Sequence, residues 1–283
     1  MGNADGSHGP FDPAPPPLQR PRSRTVPEVT TTAADIADPG AGSTHWGEID
    51  GVSIDFPMVV EEMRSATLTF TVPIDAARRL LPGDAFAVAE VAPGSAMLIL
   101  ALCDYVRNPW GDYDEVNLGL LVHPVGRPDA VGAFQWRMPV DQEFTCTAGN
   151  RVLGLPKTVE DLGFSYSGDP GAGTVTVRLV TSDEPDGSVS LLVELPRPAD
   201  PATRDPATRD PAITYSYLDG RPMELPLEME LPSSFVDPAD VRITLGEGAL
   251  ASELRSLGLP GPADLVMWGE GLSAVFQSPR PLT

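Results

Sequence analysis

The sequence predicts a mostly β domain, a barrel or a sandwich. Apolar residues recur in short runs, either at the two-residue period of half-buried strands or as brief continuous stretches. Only two segments carry a short helical pattern. The 32 prolines and 27 glycines among 283 residues supply frequent turns between short strands. Strands do not alternate with long helices, so a doubly wound parallel sheet is not expected.

Residues 1–45 form a tail rich in Gly, Pro, Ala, Asp and Thr with few large apolar side chains. Such a segment cannot bury enough surface to offset its ordering entropy, so it is expected to be disordered, with one domain over 46–283. Order should be evident by Ile54. Leu68, Phe70 and Val72 alternate with Thr67, Thr69 and Thr71, which reads as a half-buried strand. Asp75–Leu81 reads as a short helix stopped by Pro82-Gly83. Ser95–Tyr105 is nearly continuous apolar sequence and reads as a buried strand. After the turn at Pro109–Asp112, further strands are expected over Glu115–His123 and Ala133–Val140. Val159–Leu162 is too short to assign.

The second half continues in the same way. Thr174–Val177 and Val189–Leu195 read as strands joined by the hairpin-like Asp183–Gly187. Asp200–Arg204 is then repeated as Asp205–Arg209, and Asp210-Pro211-Ala212 begins a third copy. Proline every five residues forbids regular helix or ladder pairing, so 200–212 is expected to be an exposed inserted loop. Ile213–Tyr217, Met223–Met229 and Leu272–Phe276 read as strands, and Ala249–Leu257 as the second helix.

The formal net charge of −21 repels phosphate backbones and anionic lipid surfaces, so neither nucleic acid nor membrane is an expected partner. No apolar run is long enough to span a bilayer. Cys103 and Cys146 form no CxxC pair, and no secretory segment is evident, which together predict a cytoplasmic protein with reduced thiols. His8, His45 and His123 are not at metal-ligand spacing, so no metal is expected, and no nucleotide-binding or nucleophile-elbow motif is present. No cofactor is called for.

One residue stands apart. Of the 19 lysines and arginines, Lys157 is the only lysine. An amine can lose its proton and act as a nucleophile, whereas a guanidinium in a protein cannot. Lys157 follows Val152-Leu153-Gly154-Leu155-Pro156, a run without charge, which aims it at an apolar space. Desolvation there would favour the neutral amine, as would a neighbouring cation. On the residues alone two readings stand. Lys157 is a Schiff-base nucleophile, or it reaches out from a strand end and pairs with Glu160 or Asp161.

The segment Ala148–Lys157 (AGNRVLGLPK) resembles the active-site segment of the acetoacetate decarboxylase family, in which a Pro-Lys pair supplies the Schiff-base lysine. Asp75–Pro82 resembles that family's early helix, and Gly111-Asp112-Tyr113-Asp114-Glu115 its Gly-x-Tyr-x-Glu segment, whose glutamate lines the site. Tyr215–Pro222 resembles the stretch before its late strands. The resemblance covers roughly residues 55–277 and implies a closed or cone-shaped antiparallel β-barrel with an additional sheet, assembled as a homo-oligomer. It implies Lys157 as nucleophile and Glu115 as proton carrier. It also implies Arg64, one residue out of register, and Tyr113 as substrate-binding groups. Trp136 and Met138 in the preceding strand are candidate apolar walls. Activation of neutral lysine by an adjacent cation is a named device of this family.

The chain departs from the family pattern in three places. Thr158 replaces a second lysine, Asn150-Arg151 replaces Arg-Glu, and the only carboxylate in the strand before the Tyr-x-Glu turn is Asp104. With Thr158 in place, burial rather than a neighbouring charge is expected to activate Lys157. The resulting expectation is a lyase that decarboxylates a small β-keto acid through a Schiff base. The alternatives are an aldolase or dehydratase acting on a 2-oxo acid through the same iminium, or a non-catalytic binding protein on the same fold.

Overall fold

A computed structural model describes residues 43–199 and 209–282. The expected tail lies outside it as far as residue 42, and the repeat from 200 to 208. The described chain begins with the hairpin β1 (Thr44–Ile49) and β2 (Val52–Phe56), ahead of the point at which the sequence suggested order. Then come β3 (Met58–Pro73), α1 (Ile74–Leu80), β4 (Phe86–Val88), β5 (Ser95–Arg107), β6 (Tyr113–Pro124) and β7 (Gly132–Val140). Helix α2 (Glu143–Ala148) runs on into a π-helical turn, Gly149–Leu153. It is followed by β8 (Lys157–Val159), β9 (Asp161–Ser167), β10 (Gly173–Val180), β11 (Leu191–Arg197), β12 (Asp210–Leu218) and β13 (Arg221–Met229). The last elements are β14 (Ser234–Val236), β15 (Arg242–Leu245), α3 (Ala249–Ser256), β16 (Leu265–Phe276) and β17 (Arg280–Pro281).

The expected strands are therefore present, most of them longer than the sequence suggested; Val189–Leu195 is instead shifted by two residues, to Leu191–Arg197. Helix α2 and its π-helical turn were not foreseen. Thr, Cys, Gly and Asn are poor helix formers, and here tertiary packing overrides them. Strand β12 begins at Asp210, so the third Asp-Pro-Ala copy is paired in a sheet and is not part of a loop. It contains one proline, Pro211, next to the strand's start, so a single ladder donor is lost.

Strands β16-β3-β5-β6-β7-β12-β13 are successively paired, and β13 pairs again with β16, closing a seven-strand barrel. A smaller antiparallel sheet, β15-β11-β10-β9, packs against one face of the β3-β5-β6 wall. Leu68, Leu98, Leu100, Leu102, Leu118 and Leu120 are fully buried between the two layers with Val175, Val177, Leu191 and Val193. Each such leucine contributes roughly 1.5–3 kcal/mol by leaving water. A second apolar cluster lies on the opposite face of the same strands. It brings together Met63, Cys103, Tyr105, Met138, Leu153 and Leu272. Strand β5 is thus buried on one face and half-buried or buried on the other, which is why it reads as a nearly continuous apolar run.

The seam between the layers holds several charges. Asp104 accepts from Arg64 Nη1 at 2.7 Å and from the Tyr166 hydroxyl at 2.5 Å. Arg64 and Arg197 both lie over the Tyr166 ring, 5.1 and 5.0 Å from its centroid. Asp114, paired across the sheet with Asp104, accepts from the Phe164 amide at 3.1 Å. Burial, followed by the charges of Asp141 and Asp104, pushes the Asp114 carboxyl up from 3.8 to about 8. The folded state therefore holds a proton there that the unfolded chain gives up at lower pH. Stability from this source is complete below the unfolded value and is lost as pH rises towards 8. Asp114→Asn keeps an oxygen acceptor for Phe164 and cannot ionise. Thermal melts should show its Tm above wild type at pH 8.5 and close to wild type at pH 4. Equal Tm differences at both values would show that Asp114 does not titrate in this window.

Candidate active site

The site is built where β6, β8 and α2 meet. Strand β8 runs parallel to β7, with Lys157 opposite Met138. Because a strand turns successive side chains to opposite faces, Pro156 and Thr158 are exposed while Lys157 is buried. Pro156 and Thr158 line a cleft of ≈ 670 Å³ on the side of β8 away from the amine. That cleft is lined by residues on the other side of the strand and is not the space into which Lys157 points.

Lys157 Nζ lies 2.6 Å from Glu115 Oε2, and both side chains are 3% exposed. Nζ also donates to Thr145 Oγ1 at 3.2 Å and sits 5.1 Å from the centre of the Tyr113 ring. The partners suggested for a surface lysine are engaged elsewhere. Glu160 accepts from the Ser182 amide at 2.9 Å, and Asp161 pairs with Arg178 at 2.8 Å. The charged group that meets the buried amine is an acid, not a cation.

Glu115 is held by its other oxygen. Oε1 accepts from Asn117 Nδ2 at 3.0 Å and from the Tyr105 hydroxyl at 3.3 Å. The Tyr105 and Tyr113 rings stack 4.4 Å apart. Burial, and then the Glu115 charge, raise both phenols well above their ordinary range, so both stay protonated. Cys103 stands directly across from Glu115 on β5. Burial, and then Glu115, push its thiol up to about 12, so it is an un-ionised neighbour.

The lysine's backbone is clamped as well. Asn150 Oδ1 accepts from the Lys157 amide at 2.8 Å, while Asn150 Nδ2 donates to the Lys157 carbonyl at 3.0 Å. Cys146 Sγ donates to the same carbonyl at 3.3 Å. Gly154 ends the helical turn in the left-handed region, with φ 64°, where glycine carries no steric penalty. Gly149 leaves room for the lysine stem. A Cβ there would come within 2.6 Å of Lys157 Cδ.

Among the expected site residues, Lys157, Glu115, Tyr113 and Met138 share one buried cluster. Two do not join them. Arg64 is on the opposite face of β3, bound to Asp104 at 2.7 Å and 3.7 Å from Glu270. Adjacent residues in a strand face opposite ways, and the residue on the site face is Ser65, 2% exposed and across from Cys103. The one-residue offset noted in the sequence thus decides the face. Trp136 lies where the β6–β7 register shifts, and its Nε1 donates to Glu253 of α3 at 3.1 Å. Arg137 makes a two-point contact with the same carboxylate, at 2.7 and 2.8 Å. Thr145 and Tyr105 carried no signal in the sequence, and Asn150 stood out only as a departure from the family's Arg-Glu pattern. Asn117, two residues after Glu115 and so on the same face of a strand, was open to inference.

Residues 44–251 match the acetoacetate decarboxylase (ADC) family. No curated protein matches the sequence. Among solved structures, the acetoacetate decarboxylase of Legionella pneumophila is 12% identical. The match covers 80% of this chain and 87% of that one, with a TM-score of 0.58. An acetoacetate decarboxylase-like enzyme from Sphingomonas wittichii is 15% identical over 86% of this chain and 100% of its own, with a TM-score of 0.53. The enduracididine biosynthesis enzyme MppR, complexed with the condensation product of pyruvate and imidazole 4-carboxaldehyde, is 15% identical. It covers 87% of this chain and 99% of its own, with a TM-score of 0.50. At these identities the structures establish a common fold. Together with the sequence match over most of its length, they establish that the chain belongs to the acetoacetate decarboxylase family.

Proposed function

We propose that the protein is a Schiff-base carbon–carbon lyase in which Lys157 is the nucleophile and Glu115 carries protons. The observation that supports this most directly is the buried 2.6 Å contact between the chain's only lysine and a carboxylate. A buried pair of this kind is weak support for stability, because desolvating two charges offsets much of their attraction. It does put an amine beside a base that can receive its proton.

The proton balance closes within the pair. Glu115 takes a proton from the Lys157 ammonium, and the freed nitrogen attacks the substrate carbonyl carbon. The carbonyl π electrons move to oxygen, which gains the second nitrogen proton through the carboxyl group. Protonated Glu115 then gives its proton to the resulting hydroxyl, water leaves, and nitrogen's lone pair forms the iminium. One water is lost and the net charge of the pair is unchanged. The iminium is an electron sink, so a carbon–carbon bond β to nitrogen can break with its electrons drawn towards nitrogen. Loss of CO2 from a β-keto acid and retro-aldol cleavage both start from this state. Acetoacetate decarboxylase and MppR with its pyruvate-derived condensation product are the corresponding similarities. Asn117 and Tyr105 orient Glu115, and Thr145 orients the amine.

Borohydride reduction in the presence of small ketones, aldehydes and keto acids, read by peptide mass, tests the proposal. A reduced adduct on Lys157 is expected, and it should be absent in Lys157→Arg, because a guanidinium keeps the charge and cannot form the imine. Failure of every carbonyl compound to label the wild-type protein would leave a non-catalytic binding protein. Glu115→Gln removes the proton carrier and leaves a buried ammonium without its counter-ion. Trapping should slow by about 10²–10⁴-fold, and stability should fall by roughly 3–5 kcal/mol, read by denaturant titration. Gly149→Ala should displace the lysine stem and slow trapping by up to about 10²-fold while the melt stays cooperative. Undiminished trapping would show that Gly149 does not set the lysine's position.

A further inference from the structure

The sheet face that carries Glu115 is most deeply buried beside that residue. Its first row, Ser65, Cys103 and Glu115, is 2%, 5% and 2% exposed. The second row, Thr67, Ala101 and Asn117, is half-buried. In the third, Thr69 and Ile99 are half-buried, and Gly119 is covered by the Gln135 side chain, whose Oε1 would lie 2.6 Å from a Cβ at that glycine. In the fourth, Thr71 is exposed. On β3 this face opens from buried Ser65 through half-buried Thr67 and Thr69 to exposed Thr71, the direction by which a substrate would reach the amine.

Past Glu115, none of the residues named in these rows is charged, in a protein of which 21% is charged. The charged chain neighbours of the first row sit on the opposite face: Arg64 and Asp104 are bound to each other, and Asp114 lies beside them; the other charges of β3 and β5, Glu61, Glu62 and Arg107, pair with one another at the far end of the strands. The position across from Glu115 is the un-ionised Cys103. Two amide oxygens on the route, Asn117 Oδ1 and Gln135 Oε1, are buried and have no hydrogen-bond partner among the described residues. They are acceptors, suited to a hydroxyl and not to an anion.

We infer that the substrate of Lys157 is an uncharged hydroxylated aldehyde or ketone, and that the bond broken is that of a β-hydroxy carbonyl compound, not a bond to a carboxylate. The inference rests on the Schiff-base proposal above. It follows from charge. With a neutral substrate, the iminium and the Glu115 carboxylate sum to zero. With a keto acid, the same buried space holds one net negative charge, and no guanidinium among the residues of these rows meets it, which is costly in a low-dielectric site. The chemistry balances without a further reagent. Glu115 takes the proton of the β-hydroxyl, the Cα–Cβ bond breaks, the new carbonyl leaves, and the bonding electrons pass into the iminium to give an enamine. Glu115 returns its proton to the enamine carbon, and water then hydrolyses the iminium to free Lys157.

Borohydride trapping with matched pairs tests the assignment: acetoacetate against methyl acetoacetate, and pyruvate against hydroxyacetone. Adduct formation on Lys157 should be at least about 10-fold faster for the neutral member of each pair. The preference should persist in 0.5 M salt, since screening acts weakly inside a buried site. Thr67→Arg, which places a cation on the route, should shift the ratio towards the acids. Equal or faster labelling by the acids in wild type would overturn the inference while leaving the Schiff-base reading intact. A preference that vanishes in high salt would also overturn it, because it would belong to the surface charge. Labelling by neither member would remove the Schiff-base reading and this inference with it.

Discussion

The contact between Lys157 and Glu115 is the constraint around which this structure is arranged. Two opposite charges, each 3% exposed, are tolerable in an apolar interior only when both are paired and their remaining hydrogen-bonding capacity is largely met. The surroundings of the pair follow from that requirement. Asn117 and Tyr105 occupy one glutamate oxygen, Thr145 receives the ammonium, and Asn150 fixes the lysine backbone on both sides. Helix α2 and the π-helical turn supply two of these groups, Thr145 and Asn150. Their irregular geometry is what lets one short segment reach both the amine and the backbone of the lysine.

The barrel wall keeps this pair separate from the other buried charges by the alternation of its strands. Ser65, Cys103 and Glu115 face the site, while their chain neighbours Arg64, Asp104 and Asp114 face the second sheet. A period of two puts a polar seam and a nearly charge-free site back to back across one backbone. The seam joins the layers through Asp104, Tyr166, Arg64, Arg197 and Glu270. The site retains one acid and one amine.

Much of the wall was legible in the sequence. Leu68, Phe70 and Val72 against three threonines gave β3 its faces, and the nearly continuous apolar run of Ser95–Tyr105 marked a strand covered on both sides, fully on one and in part on the other. The hairpin β1–β2 and helix α2 were not legible. The first consists of two short strands directly next to the tail, and the second is made of weak helix formers held by their contacts. Arg64 and Trp136 show the limit most clearly. A one-residue offset in a strand reverses the face, and a shift of register at Trp136 redirects a side chain to α3, and neither can be read from residue type.

By itself, the sequence determined that there is one side-chain amine able to act as a nucleophile, that it follows a charge-free run, and that Tyr113 and Glu115 precede it in the order of a known family. Those are properties of residue identity and local order. Tertiary structure decided which charge meets the amine. Lys157 and Glu115 are far apart in the chain, and only the pairing of β5, β6, β7 and β8 brings them to 2.6 Å while turning Arg64 away. Which groups share a buried face depends on strand register across the whole barrel. Register is set by the summed packing of both faces, a non-local quantity that no single segment carries.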